Sequence, residues 1–115
     1  MQPEKLPAID GGTVYYRNNA VAGLTTILAP AANVAGAVVQ VATLGVNNNA
    51  IRLMVKSTAP ASIDDAGAKT LLRVRSTGIL DDVVPFSVFV PAGEGVYEWA
   101  SAATDSVCSA TVKIF

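Results

Sequence analysis

Two adjacent acid pairs, Asp64–Asp65 and Asp81–Asp82, are the first residues here whose types could do chemistry. Two carboxylates that converge at about 5–9 Å across a cleft can act as acid and base on a glycosidic bond. Both pairs, however, stand among small and turn-forming residues, where aspartate caps helices and accepts bonds from nearby backbone. A structural role is therefore expected of them. Calcium needs three or more converging oxygens at a spacing such as D-x-D-x-D, which the chain lacks. The single cysteine, Cys108, would need an activating base, and the chain contains no histidine. That removes Ser-His-Asp, Cys-His and histidine-based zinc sites and leaves only rarer constellations such as Ser-Lys. Cys108 lies in an apolar strand pattern and reads as a small buried hydrophobe that cannot form an internal disulfide. No metal or cofactor is expected, and the chain reads as a protein without enzymatic activity.

The stretch VPAGEGVYEWAS, residues 90–101, sets Glu94 between two glycines. A phosphate-binding loop places its glycines ahead of a helix, with lysine or serine following. Here strand formers follow and the charge is negative. The stretch predicts a tight turn: Pro91 ends one strand, Gly93 and Gly95 supply positive φ, and Glu94 stands at the exposed tip. In the strand after it, Tyr97 and Trp99 share one face, opposite Val96, Glu98 and Ala100. The aromatic pair is expected to anchor the core. Its alternative use is a platform for a sugar ring, with Tyr15 and Tyr16 as further candidates. Arg73 and Arg75 are two apart in a strand pattern and project from one face, either solvated or paired with acids of a neighbouring subunit.

The elements that position these residues are short β runs punctuated by turns. They are residues 13–17, 24–29, 35–44, 51–56, 71–75, 85–90, 96–100 and 107–115. VNNNA at 46–50 is expected to be a turn, because asparagine tolerates the left-handed region. In 35–44, Val39 and Val41 are expected on one face. In 51–56, Ile51, Leu53 and Val55 are expected inward and Arg52 and Lys56 outward. Residues 57–70 form the longest irregular stretch, and 76–84 reads as a connector. No helical period exceeds one turn. About eight strands predict an all-β chain, an antiparallel two-sheet sandwich of jelly-roll type. Residues 13–115 form its single domain. Residues 1–12 hold Pro3, Pro7 and Gly11–Gly12, and predict an extended arm reaching up to about 40 Å. The segment reads first as a frayed terminus, with an arm that reaches a neighbouring subunit as the sharper alternative.

Only 15% of the 115 residues are charged, against about 25% in ordinary domains. So low a share leaves neutral surface, which points to burial against a partner. Net charge is −1 with no basic cluster, so neither nucleic acid nor an anionic membrane is an expected partner. The N-terminal residues lack the apolar core of a signal peptide, and no window supplies the roughly 18 apolar residues of a membrane helix. The chain is expected to be made and used in soluble form.

The stretches LTTILAPAANVAGAVVQVATL (24–44), VPAGEGVYEWAS and ATVKIF (110–115) resemble small jelly-roll structural proteins of tailed bacteriophages. The matching residues are Pro30, Ala31, Asn33 and Gly36, then Pro91, Ala92, Gly93, Gly95 and Tyr97. The resemblance touches most of residues 24–115 and none of 1–12. It implies a virion part assembled in the host cytoplasm: a capsid decoration (cement) subunit, or a tail, collar or fibre module that reads host-surface glycan. Its partners would be other virion proteins and copies of itself. Leu6, Ile9, Arg73, Arg75, Glu94 and the loop 57–70 are the expected partner contacts.

Overall fold

The computed structural model describes residues 13–19, 22–102 and 107–115, with the main chain alone for 13–19. Within these the chain is all-β except for one short 3-10 turn, Pro30–Ala32. The strands are β1 (Thr13–Asn19), β2 (Gly23–Leu28), β3 (Ala37–Lys56), β4 (Lys69–Val84), β5 (Val88–Val90), β6 (Gly95–Ala100) and β7 (Val107–Ile114). All pairings are antiparallel and join the seven strands into one hydrogen-bonded sheet.

β3 is the spine. Along one edge it pairs with β7 over Ala37–Gly45 and with β6 over Ile51–Lys56. Along the other it pairs with β5 over Ala37–Val39 and with β4 over Ala42–Val55. β1 extends the sheet beyond β7, and β2 beyond β6. The connectivity forces β3 to bend. Val90 pairs with Ala37 at its start and Gly95 with Lys56 at its end. The chain from Val90 to Gly95 can span at most about 18 Å, whereas 20 residues of straight strand run about 63 Å. The sheet therefore folds back, and its two halves share one buried cluster that includes Val39, Leu44, Ile51, Leu53, Val96, Cys108 and Val112.

The alternation of β3 is reset twice to serve that core. Its core residues run Ala37, Val39, then Ala42, Leu44, Val46, then Ile51, Leu53, Val55. The first reset is a register shift around Gln40. It turns Val41 outward, 54% exposed, and Ala42 inward, against the uninterrupted period of two expected for this run. The second reset is at Asn48, whose φ is +59°, with a register shift between Asn47 and Asn49. Magnitudes explain why such strain persists. A non-glycine residue in the left-handed region costs about 1–2 kcal/mol. Without the reset three large side chains would face outward, each losing about 1.5–3 kcal/mol of burial.

Asn48 is also why the expected turn at 46–50 is absent. Asparagine takes the left-handed conformation as anticipated, but as a bulge inside a continuous strand. Residues 76–84, expected to be a connector, pair with β3 across the same bend and complete the 16-residue β4. Among the described residues the expected eight short strands are thus seven, two of them long.

The outer face of the second half is covered by the chain itself. Arg52 was expected in solvent but is buried. Its guanidinium donates to the carbonyls of Ile63 (2.8 Å), Asp65 (3.0 Å) and Ala68 (2.8 Å), and its Nε to Thr70 Oγ1 (2.8 Å). Segment 57–68 is thereby fastened over Arg52. Tyr97 pairs with Met54 and Trp99 with Arg52, so both aromatics lie on this face. Tyr97 is buried as expected, outside the main apolar cluster, whereas Trp99 is only half-buried.

Candidate functional site

Two of the three segments that carry the phage resemblance meet at one side chain. Asn33 follows the 3-10 turn and is buried. Its Nδ2 donates to the carbonyls of Pro91 (2.8 Å) and Glu94 (2.9 Å), with a longer contact to that of Val90 (3.4 Å). Its own carbonyl accepts from the Gly93 amide at 2.7 Å. Residues 91–94 form the expected tight turn, with Glu94 N donating to Pro91 O and φ +84° at Gly93. Gly95 serves differently from expectation. Its φ is not left-handed, but a Cβ there would meet Leu28 O at 2.7 Å and the Pro30 ring. Glu94 is half-buried instead of standing at an open tip, and its carboxylate pairs with Lys69 at 3.1 Å.

A groove of about 700 Å³ opens on the outer face at the bend of the sheet. It is lined by Asn48 and Asn49 of the bulge, Arg73 and Arg75 of β4, Asp64, and Ser101. Arg73 pairs with Asp64 at 2.8 Å. Arg75 makes no ion pair among the described residues. The lining can hold hydroxyl or carboxylate groups through amide, hydroxyl and guanidinium donors.

The two acid pairs do not converge in this groove, because Asp64 lines it and Asp81 and Asp82 do not. Asp65 fastens its own loop, accepting from Lys56 Nζ (2.7 Å) and the amides of Ala61 (2.9 Å) and Gly67 (2.8 Å). These bonds, the Lys56 one foremost, hold its carboxyl down at about 2, against an ordinary 3.8. Asp82 accepts from the Val83 amide at 2.8 Å. Among the described residues no three of His, Cys, Asp and Glu cluster as a metal site would need.

Glu98 was missed by sequence reasoning. It pairs with Leu53 and is fully buried on the core face. Burial, and then the Glu98 charge across the folded sheet, push the Cys108 thiol up to about 12. The expectation of an inert cysteine stands on that environment. Burial alone pushes the Tyr97 phenol up. The strict alternation of VYEWA did carry the signal for Glu98, because it set Glu98 on the face of Val96 and Ala100.

Of the expected contact residues, Arg73 and Arg75 flank the groove, and Glu94 lies at the Asn33 turn, away from it. Leu6, Ile9 and the whole of the expected arm lie outside the described residues, as do the side chains of Tyr15 and Tyr16.

No protein-family model and no curated protein match this sequence. Solved structures do match its fold. Two crystal structures of a pentameric capsid protein isolated from metagenomic phage sequences superpose with TM-scores of 0.56 and 0.57. Identity is 18% and 17%, over 88% and 89% of this chain. The chain spans about 61% of the length of those proteins.

Proposed function

We propose that this chain is a bacteriophage virion structural protein, a shell component of jelly-roll type that works by assembling with copies of itself and with other virion proteins. The observation that carries the reading is the fold shared with a pentameric phage capsid protein across nearly all of this chain. The surface supports it. Val34, Ile79, Phe86 and Phe89 are all exposed, in a chain of which only 15% of the residues are charged. A shell subunit stabilises its particle by mass action, because it binds the assembled state only.

Within that reading the chain serves as a capsid-decorating subunit. Leu6 and Ile9 of the N-terminal arm, with Arg73, Arg75 and Glu94, are its proposed partner contacts. A tail or fibre module reading glycan would want an open aromatic platform, and the burial of Tyr97 and half-burial of Trp99 favour the shell over it. Electron microscopy of the concentrated protein, run beside a glycan-binding screen, tests the choice. Closed rings or larger ordered assemblies with no glycan retained are expected. Isolated single subunits that retain a defined glycan would overturn the proposal.

A further inference from the structure

The free edge of β4 is an exposed strand surface. Among the described residues no strand pairs with it. Residues 77–83 are exposed on both faces, although they are hydrogen-bonded to β3 on one side. Ile79 is 79% exposed, and Leu80 and Val83 are both 46% exposed. A long edge that displays unpaired backbone groups and apolar side chains is a template for another strand.

The charges along β4 say which strand fits. Arg73 and Arg75 lie toward its start, Asp81 and Asp82 toward its end, and Gly78 between them. Arg73 pairs with Arg52, Arg75 with Ala50, Asp81 with Gly45 and Val83 with Thr43. Arg73, Arg75, Asp81 and Val83 therefore share the outer face of one strand. An edge that is positive at one end and negative at the other is complementary to its own antiparallel copy.

We infer that β4 docks edge to edge, antiparallel, with β4 of a second copy of this chain, about a two-fold axis through Gly78. In this register Arg75 of each copy stands opposite Asp81 of the other, making two symmetric ion pairs. Arg73 stands opposite Val83, and Ile79 opposite Thr77. Arg75 is free for this role among the described residues, whereas Arg73 is held by Asp64. The axis also suits the fold. It passes through the bulge opposite Asn48, where the sheet bends, so it carries the curve of one edge onto the curve of the other. Gly78 has nothing within 4 Å of a Cβ position, so the closest approach is unobstructed. The inference goes beyond the virion reading and does not rest on it, since it uses only the strand edge and its charges.

Charge exchange followed by sedimentation tests it. Arg75→Glu alone, or Asp81→Arg alone, should weaken dimerisation at least about tenfold, because each change breaks two symmetry-related pairs. The double variant R75E/D81R should restore it. Both residues are exposed, so the fold is expected to survive, and circular dichroism checks that. A second measurement fixes the register. Directly opposite residues of an antiparallel pair lie about 4.5–5.5 Å apart at Cα, within disulfide reach. Gly78→Cys should therefore oxidise to a covalent dimer, while Ala92→Cys, exposed on a different turn, should not. Failure of the double variant to recover the dimer would overturn the inference. So would equal cross-linking at positions 78 and 92, or a ring whose mass none of the β4 changes alters. The last result would leave the virion reading standing.

Discussion

At the scale of single residues, one side chain, Asn33, ties together two segments far apart in sequence. Asn33 answers carbonyls from a turn 58 positions away that no strand would satisfy. Asn33→Ala should cost about 2–3 kcal/mol in urea unfolding, because it leaves carbonyls of a part-buried turn without their donor. Asp65 gives a pH signature. Its folded pKa lies below its unfolded value, so its contribution is present above pH 3.8 and lost as pH falls toward about 2. Thermal melts between pH 5 and pH 2 should therefore fall more steeply in the native chain than in Asp65→Asn. Cys108, buried and held up at about 12, should resist a thiol reagent at pH 8 until the chain unfolds. Reaction at the rate of an open thiol would contradict the folded-back core.

At the scale of elements, the sequence was legible wherever alternation ran unbroken. β7 shows it best, with Cys108, Ala110 and Val112 buried as their period of two requires. It was illegible at the two resets of β3. A period of two carries no mark of a bulge, so Val41 is expected on the face of Val39 and Asn47–Asn49 in a turn. The chemistry was right, since Asn48 does adopt the left-handed conformation; only the neighbouring strands decide between a turn and a bulge. Asn48→Val should then cost about 1–2 kcal/mol, and Asn48→Gly should shift stability by less than about 1 kcal/mol. Arg52 was misread for a similar reason. Its strand pattern matched a wet face, and nothing local reveals that 57–68 returns to cover it. Arg52→Ala should destabilise by about 3 kcal/mol through the carbonyls it leaves unanswered. It should also open 57–68 to limited proteolysis before the rest of the chain.

At the scale of the whole molecule, scarce charge and exposed apolar side chains belong to one design. A sheet of 20- and 16-residue strands folded on itself has a core large enough to stand alone, yet it leaves Ile79, Phe86 and Phe89 in solvent. The all-β class could be read from the alternating pattern. The folding back could not, because it follows from β5 and β6 pairing with opposite ends of β3, a long-range fact. The Asn33 site was half legible: both segments that meet there were singled out, but the bond joining them was not. Deletion of residues 1–12 should lower the mass of the assembled species if Leu6 and Ile9 act as a clip, and light scattering reads this directly.

The central claim is that this chain is an assembling structural subunit, and its mass in solution tests that most directly. Sedimentation of the full chain at micromolar concentration should give a defined multiple of 11.8 kDa that dissociates on dilution. A species that stays at 11.8 kDa across the accessible concentration range would contradict the account.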